Sequence, residues 1–367
     1  MELEHGSGLL VLIGAGASNG ALPTPSFPTQ VPPLTRDITR RTQESIGLAA
    51  RYPDCTPILS ELRTRLASSV DLQSSEGMSI TLEDALAEYL SRKSDPNVPR
   101  HVMAMRYYIR DLIWMATEYV MRESGGVTNY TELVRQCFQW AAMKPTHVCF
   151  VSFNYDPLLE FACNRHFRME PWFIESYTQN ETASVLKPHG SVLWSWAHPA
   201  YWDGNDPVSA GSASAIFAGE PDGKPQTKIY AASVPQDSVN PNLNRQIPAI
   251  PALALPITNK AALVWPPDQD RFFREVIPPG SFGRVLAIGW RAAEDHFLPL
   301  LSRLIPGTPK SRLMVVAGGR QDVADNDAKE TEQRIMSVIG GSPPTTILLT
   351  GGFGSIFQTH LPQFLAE

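Results

Sequence analysis

Cysteine is scarce in this sequence, and the spacing of the cysteines is not that of metal ligands. The chain has four cysteines in 367 residues, and no two of them are separated by only two residues. A structural zinc site generally takes its ligands in close pairs, because each pair shares one tight turn around the metal. The sequence therefore predicts no metal site, and it predicts that the four cysteines are buried free thiols.

Long apolar runs and a surplus of positive charge are also missing. No segment approaches the roughly 18 consecutive apolar residues that cross a bilayer, and the run from Leu9 to Ile13 is too short for the core of a signal peptide. The net charge is −6, and no run of Lys or Arg exceeds the pair Arg40-Arg41. We therefore expect a cytoplasmic protein with no membrane partner and no direct nucleic-acid partner.

Short apolar runs that end in glycine or a polar turn recur along the chain. They are GLLVLIG at 8–14, HVCFVSF at 147–153, RVLAIGW at 284–290, RLMVVAGG at 312–319 and TTILLTGG at 345–352. Helical patterns separate several of these runs, which is typical of parallel strands joined by helices. We predict an α/β fold: a Rossmann-like parallel sheet with helices on both faces.

The rest of the chain divides into two insertions in a single predicted domain. Residues 36–144 predict a helical insertion, because apolar residues recur there at spacings of three and four. Residues 198–247 lose this periodicity and are rich in Pro, Gly, Ser and Asn, which predicts an irregular insertion. The sheet core is then expected from 1–35, 145–197 and 248–367.

The turn after the first predicted strand has two explanations. In GLLVLIGAGASNGALPTP, residues 8–25, Gly14 and Gly16 would bring backbone amides beside a pyrophosphate at the start of a helix. The same glycines also occur where two backbones merely pack closely. The dehydrogenase fingerprint fails, because the next glycine, Gly20, is one place late and no acid follows at the end of a second strand.

Three further polar clusters follow predicted strands, where an α/β sheet places its ligands. They are FNYD at 153–156, KPHGS at 187–191, and AIGW at 287–290 with Asp295 beyond it. With GAGAS at 14–18 before them, these motifs in this order resemble the sirtuin-like superfamily. The chain is most similar to the bacterial NAD-hydrolysing branch that acts in antiphage defence, some of whose members work with Argonaute-type or helicase-type partners.

This resemblance implies roles for the following residues. Gly14, Ala15 and Gly16 would approach the pyrophosphate of NAD, and Ser18 would contact the nicotinamide ribose or a phosphate. Asn154 would hold the ribose and a water, Asp156 would lie near the carboxamide pocket, and His189 would face the ribose hydroxyls. Gly289, Trp290 and Asp295 would contact the adenosine side.

The resemblance implies that the chain is an NAD glycohydrolase, with NAD as its substrate and no metal. Cleavage of the nicotinamide–ribose bond passes through an oxocarbenium-like centre, which needs polar groups on the ribose and a positioned water. Asn154 can orient that water, and His189 can accept a proton near neutral pH. Because constant NAD hydrolysis is toxic, we expect control by homo-oligomerisation or by a partner protein.

Two departures from the protein deacylases of the superfamily disfavour lysine deacylation. The segment 198–247 has no cysteine where deacylases carry a zinc ribbon, and the first loop reads NGALPTPSFP instead of their isoleucine-proline-aspartate-phenylalanine-arginine run. The alternatives that stay open are a module that binds NAD or ADP-ribose and signals through assembly, and a protein ADP-ribosyltransferase or deacylase.

Each candidate residue also has a purely structural explanation. His189, next to Gly190, fits a turn histidine bonded to backbone, and Asn154 and Asp156 fit the turn and N-cap of a following helix. Asp295 fits an acid that interacts with a helix dipole.

Overall fold

The computed structural model of the protein describes residues 4–22, 25–27, 30–34, 37–39, 42–71, 81–92, 95–144, 146–197, 229–231, 249–256, 264, 266–339 and 345–366. Its strands are β1 (Gly8–Ile13), β2 (Val148–Ser152), β3 (Ala183–Leu186), β4 (Gly190–Ala197), β5 (Ile229–Ala231), β6 (Ala249–Leu253), β7 (Phe282–Ile288), β8 (Arg312–Val316) and β9 (Thr345–Leu349).

The helices follow in chain order. They are α1 (Ala15–Asn19), α2 (Gln43–Arg51), α3 (Thr56–Asp71), α4 (Leu82–Leu90), α5 (Val98–Glu123), α6 (Asn129–Ala141), α7 (Leu158–Phe167), α8 (Ser176–Gln179), α9 (Pro267–Arg271), α10 (Leu298–Leu304), α11 (Gln321–Val338) and α12 (His360–Ala366). A π-helical turn at Phe272–Val276 extends α9, and short 3₁₀ turns lie at Pro53–Cys55 and Phe353–Ile356.

A six-stranded parallel sheet confirms the predicted fold class. Its strand order is β3-β2-β1-β7-β8-β9, and every neighbouring pair is parallel. All residues of β1 are buried, as are those of β2 and β3. Strands covered on both faces need continuous apolar sequence. For this reason the apolar runs of the sequence predicted β1, β2, β7, β8 and β9.

The chain divides into two compact units. The first comprises residues 1–32, 117–190 and 263–367, and contains the six-stranded sheet; the second comprises 33–116 and 191–262. This division differs from the predicted boundaries at 35/145 and 197/248. Helix α6 belongs with the first unit because Asn129, at its start, bonds the turn after α1: its amide donates to Ala21 O and its Nδ2 to Gly20 O.

The second unit is helical, as predicted, but it also contains a three-stranded sheet of order β5-β4-β6. Strand β5 lies within 198–247, where we predicted irregular chain; the other residues of that range are outside the described ones. Thr81 caps α4, since its side chain accepts from the Asp84 amide and the Asp84 carboxylate accepts from the Thr81 amide.

All four cysteines are buried and unpaired, as predicted. Burial raises the pKa of the Cys149 thiol to about 12, so this thiol stays protonated and unreactive near neutral pH. Among the described residues, no helix is both long and apolar enough to cross a membrane.

His147, just before β2, makes the stability of the fold sensitive to acid. Its ring is buried between Glu181 O and Ser184 Oγ, at 3.0 and 2.9 Å. Burial lowers its pKa from 6.5 to about 4. Because the unfolded chain takes up a proton here at a higher pH than the folded protein does, stability is complete above about pH 6.5 and is lost as the pH falls towards 4.

We therefore expect His147 to cost the protein about 3 kcal/mol of unfolding free energy at pH 4 relative to pH 7. Urea unfolding at several pH values measures this loss in the natural chain and in the His147→Gln variant. The comparison separates His147 from the acidic residues, which titrate equally in both proteins. An identical pH dependence in the two proteins would contradict the assignment.

Candidate functional site

Four loops of the first unit meet at the carboxyl edge of its sheet. They follow β1, β2, β3 and β7, which are neighbours in the sheet. The strand ends are nearly level, since Ile13 pairs with Ser152 on one side and with Ile288 on the other. The order of strands along the chain reverses between β1 and β7, and ligands of open parallel sheets bind at the carboxyl edge beside such a reversal.

The glycines after β1 are required by close backbone packing against the end of β7. A Cβ on Gly14 would lie 2.6 Å from Trp290 Cα, and one on Gly16 would lie 2.9 Å from Gly289 Cα. Gly289 itself has φ +57°, in the left-handed region that favours glycine. Close packing, one of the two explanations that the sequence left open, therefore accounts for these glycines.

Two amides of this turn also donate to the neighbouring strand. Gly14 N donates to Ile288 O at 3.0 Å, and Gly16 N donates to Gly289 O at 3.1 Å. Gly16 is exposed and Ala15 is half-buried, so the turn reaches the surface at this edge. The contact of Gly14, Ala15 and Gly16 with a pyrophosphate stays a prediction.

Asn154, in the loop after β2, is the centre of a buried polar cluster. Its Nδ2 donates to Gly14 O at 2.8 Å and to Ser18 Oγ at 2.7 Å, and it lies 3.2 Å from Tyr130 OH. Ser18 Oγ and Tyr130 OH are hydrogen-bonded to each other at 2.8 Å. The carbonyl of Gly14 can only accept, which fixes the orientation of the Asn154 amide.

The carbonyl oxygen of the Asn154 side chain, Oδ1, accepts no hydrogen bond from a described residue. This oxygen is also buried. Leaving a buried acceptor unsatisfied costs about 1–3 kcal/mol. Asn154 Oδ1 is thus an acceptor that can receive a hydroxyl or a water. Ser18 Oγ is bonded to Asn154 and Tyr130, and its contact with the ribose or a phosphate stays a prediction.

Tyr130 belongs to this cluster although we had included its helix in the insertion. Its ring packs edge-on against Phe353, with centroids 5.2 Å apart. Burial raises the pKa of its hydroxyl well above 10, so Tyr130 stays a neutral partner of Ser18 and Asn154. Apolar periodicity treats such a residue as core, and only its hydroxyl distinguishes it from phenylalanine.

His189, in the loop after β3, is buried beside the same β2 loop. Its Nδ1 lies 3.2 Å from Phe153 O, and its ring packs edge-on against the Phe153 ring. Because a carbonyl oxygen only accepts, this contact puts the proton of the neutral imidazole on Nδ1. The lone pair is then on Nε2, which lies 4.0 Å from Glu294 Oε1.

Glu294 is the acid beside His189, and it was not among the predicted residues. Its side chain is 16% exposed, and its Oε2 accepts from Trp290 Nε1 at 2.6 Å. The side chain of the predicted Asp295 is 83% exposed and lies 3.8 Å from Arg334. The sequence places two acids side by side, and only the conformation of the loop after β7 selects Glu294.

Trp290 is buried in an aromatic cluster. Its ring stacks on Phe153, with centroids 5.0 Å apart and planes 1° apart, and meets Phe297 edge-on. The contact of Trp290 and Gly289 with an adenosine stays a prediction. The geometry gives Trp290 a definite second role, because its indole N–H holds the Glu294 carboxylate.

A fully buried ion pair ties the loops after β2 and β3 together. Lys187 Nζ lies 2.7 Å from Glu160 Oε1, and it donates to Asp156 O at 2.6 Å. Burial raises the pKa of Glu160, and the Lys187 ammonium opposes that shift. The pair therefore fixes the start of the loop that carries His189.

Asp156 accepts a hydrogen bond from the first turn of α7, as a capping residue does. The cap position of α7 is occupied by Pro157, one residue later than predicted, but Asp156 Oδ1 still accepts from the Leu158 amide at 3.2 Å. Its carboxylate thus has a local structural partner. A contact between Asp156 and a carboxamide stays a prediction.

A cleft of about 800 Å³ opens at the opposite, amino-terminal edge of the sheet. Thr146 and Thr182, which precede β2 and β3, are among its lining residues, and none of the predicted site residues lines it. Within the described ranges, no group of three or more His, Cys, Asp or Glu side chains is placed to hold a metal ion. The predicted site residues lie elsewhere, in the loops at the carboxyl edge.

Comparison of the chain with models of protein families, and with curated proteins, finds no match to either.

Proposed function

We propose that this protein hydrolyses the nicotinamide–ribose bond of NAD, releasing nicotinamide and ADP-ribose. The observation that carries the proposal is that two buried polar side chains lie on the loops after neighbouring strands β2 and β3. Asn154 offers an acceptor to which no described residue donates, and His189 offers Nε2 beside a carboxylate. Both lie at the carboxyl edge of the sheet, near the reversal in strand order.

The two groups suit the two needs of glycosidic cleavage. An acceptor at Asn154 Oδ1 can hold a ribose hydroxyl or the attacking water without adding charge next to the oxocarbenium-like centre. The lone pair on His189 Nε2 can take the proton that the hydroxyl or the water gives up. The pyridinium nitrogen of NAD takes the electron pair of the broken bond and leaves as neutral nicotinamide, so the leaving group needs no acid.

The order of the four motifs, which resembles the defence branch of the sirtuin-like superfamily, supports NAD as the substrate. It also supports a role as a regulated effector that depletes NAD in infected bacterial cells. We propose that the activity is controlled by homo-oligomerisation, by a partner protein with a helicase-type or Argonaute-type sensor, or by both.

The alternative that the sequence left open, a module that binds NAD or ADP-ribose without turnover, would use the same edge of the sheet. The amides of Gly14 and Gly16 donate to Ile288 O and Gly289 O, so in either function a pyrophosphate beside this turn takes its hydrogen bonds from other groups. The two buried polar groups, Asn154 and His189, favour the hydrolase over the module.

Analysis of the reaction products distinguishes these functions. The purified protein is incubated with NAD over a range of protein concentrations, and nicotinamide, free ADP-ribose and protein-bound ADP-ribose are measured by mass spectrometry. Hydrolysis gives nicotinamide and free ADP-ribose in equal amounts, whereas transfer leaves ADP-ribose on protein. Binding of NAD in calorimetry without release of nicotinamide would favour the binding module over the hydrolase.

A further inference from the structure

The carboxylate of Glu294 is held in place from one side and faces His189 from the other. Trp290 Nε1 donates to Oε2 at 2.6 Å, which leaves Oε1 at 4.0 Å from His189 Nε2. The backbone of the same residue is also fixed, because its carbonyl accepts from the amides of Phe297 and Leu298 at 2.8 and 3.1 Å. A carboxylate held this way cannot easily turn away when the charge on His189 changes.

The imidazole is fixed as firmly as the carboxylate. Nδ1 donates to Phe153 O, so a proton that arrives at the neutral ring must bind at Nε2, the nitrogen nearest Glu294. Phe153 packs against the His189 ring and stacks on the Trp290 ring. One aromatic ring therefore contacts both the imidazole and the indole whose N–H holds the Glu294 carboxylate.

We propose that Glu294 is the positioning residue for His189, whose protonated form it stabilises when Nε2 takes a proton. This role rests on the proposed hydrolysis, whereas the proximity of Glu294 to His189 is independent of it. In that reaction the water O–H bond breaks and its proton goes to Nε2, while the water oxygen bonds to the anomeric carbon of the ribose. The ribose–nitrogen bond breaks, and its electron pair leaves with nicotinamide; His189 then returns the proton to solvent.

Other ionisable groups lie on the elements that pack around His189. Tyr155 follows β2, with its ring centroid 6.4 Å from that of His189. Asp156, Glu160 and Lys187 lie on the same two loops and on α7, and Arg291 and Asp295 lie on the loop after β7. The Lys187 ammonium is paired with Glu160, which reduces its effect on the imidazole. A comparison of natural and Glu294-substituted protein isolates Glu294, because all these groups are the same in both.

The test is a titration of His189 that does not require any activity. Protein labelled with ¹³C at the histidine Cε1 is titrated by NMR, and the His189 signal is assigned by its loss in a His189→Gln variant. An opposite charge at this distance favours the protonated ring. In Glu294→Gln we therefore expect the midpoint of His189 to fall by about 1 pH unit. In Asp295→Asn, the matched control at the exposed neighbouring acid, we expect no change.

A second variant keeps the test informative if Glu294→Gln does not fold. Trp290→Phe keeps an aromatic ring against Phe153 but removes the N–H that fixes Glu294, so the His189 midpoint should move in the same direction by a smaller amount. An unchanged midpoint in the folded variants would overturn the proposal.

Kinetics give a second readout that a merely structural role would not move. In Glu294→Gln the ascending limb of the kcat–pH profile should shift to lower pH, and the plateau should fall about tenfold because the base is weaker. A shifted NMR midpoint without any NAD hydrolysis by the natural protein would retain the pairing and reject the proposed function. Hydrolysis of NAD by the natural protein with an unshifted His189 midpoint in Glu294→Gln would support the proposed function and reject the role of Glu294.

Discussion

Replacement of His189 by glutamine is expected to lower the kcat of NAD hydrolysis by about 10²- to 10⁴-fold. The contact of Nδ1 with Phe153 O puts the lone pair of this buried imidazole on Nε2, and glutamine cannot take up a proton at neutral pH. The KM for NAD should change much less, because the loss concerns proton transfer in the transition state. Steady-state kinetics with NAD as the varied substrate measure both parameters.

His360→Gln is the matched control for this variant. His360 begins α12 in the same unit but takes no part in the cluster of Asn154, Ser18 and Tyr130. The control should keep the natural kcat, and both variants should show the natural thermal unfolding curve. Natural kcat in a folded His189→Gln protein would exclude His189 as the base.

Replacement of Lys187 by methionine is expected to cost about 3–5 kcal/mol of unfolding free energy, the largest loss of stability that we predict. The variant leaves the Glu160 carboxyl buried without the ammonium that lies 2.7 Å away in the natural protein. It also removes the donor to Asp156 O. Chemical unfolding in urea, read by circular dichroism, measures the loss.

Two further variants separate the ion pair from the general cost of substitution. The double variant Lys187→Met with Glu160→Leu removes both charges and should recover most of the lost stability, since apolar replacement of a whole buried pair is often neutral or better. Arg274→Met breaks the exposed pair with Asp270 and should cost less than about 1 kcal/mol. Equal losses in the single and the double variant would contradict this account.

The sheet could be predicted from sequence because strands buried on both faces are continuous apolar runs. β1 was predicted within one residue of its observed bounds, and β7 within two. The three-stranded sheet was missed, since β5 has only three residues and lies in a segment without periodicity. The boundaries of the two units differ from those of the predicted insertion because polar contacts of Asn129 attach α6 to the first unit. Apolar periodicity does not show such contacts.

The candidate site was only partly predictable for a similar reason. Asn154 and His189 stand in short motifs directly after strands, so topology alone places them at one edge of the sheet. The partners of these two residues come from distant parts of the chain. Tyr130 lies on a helix whose pattern indicates core. Glu294 and Asp295 are adjacent acids, and the sequence alone does not show that Glu294 is the one that accepts from Trp290.

The most direct test of the central claim is a time course of NAD and nicotinamide, with the natural protein and Asn154→Ala measured side by side. The control is Asn164→Ala, which removes a partly buried asparagine on α7 whose Nδ2 donates to Met169 O. The account predicts release of nicotinamide by the natural protein and the control, and its loss in a folded Asn154→Ala protein. Release at the natural rate by Asn154→Ala would contradict the assigned site, and no release by any of the three proteins would contradict the proposed hydrolysis.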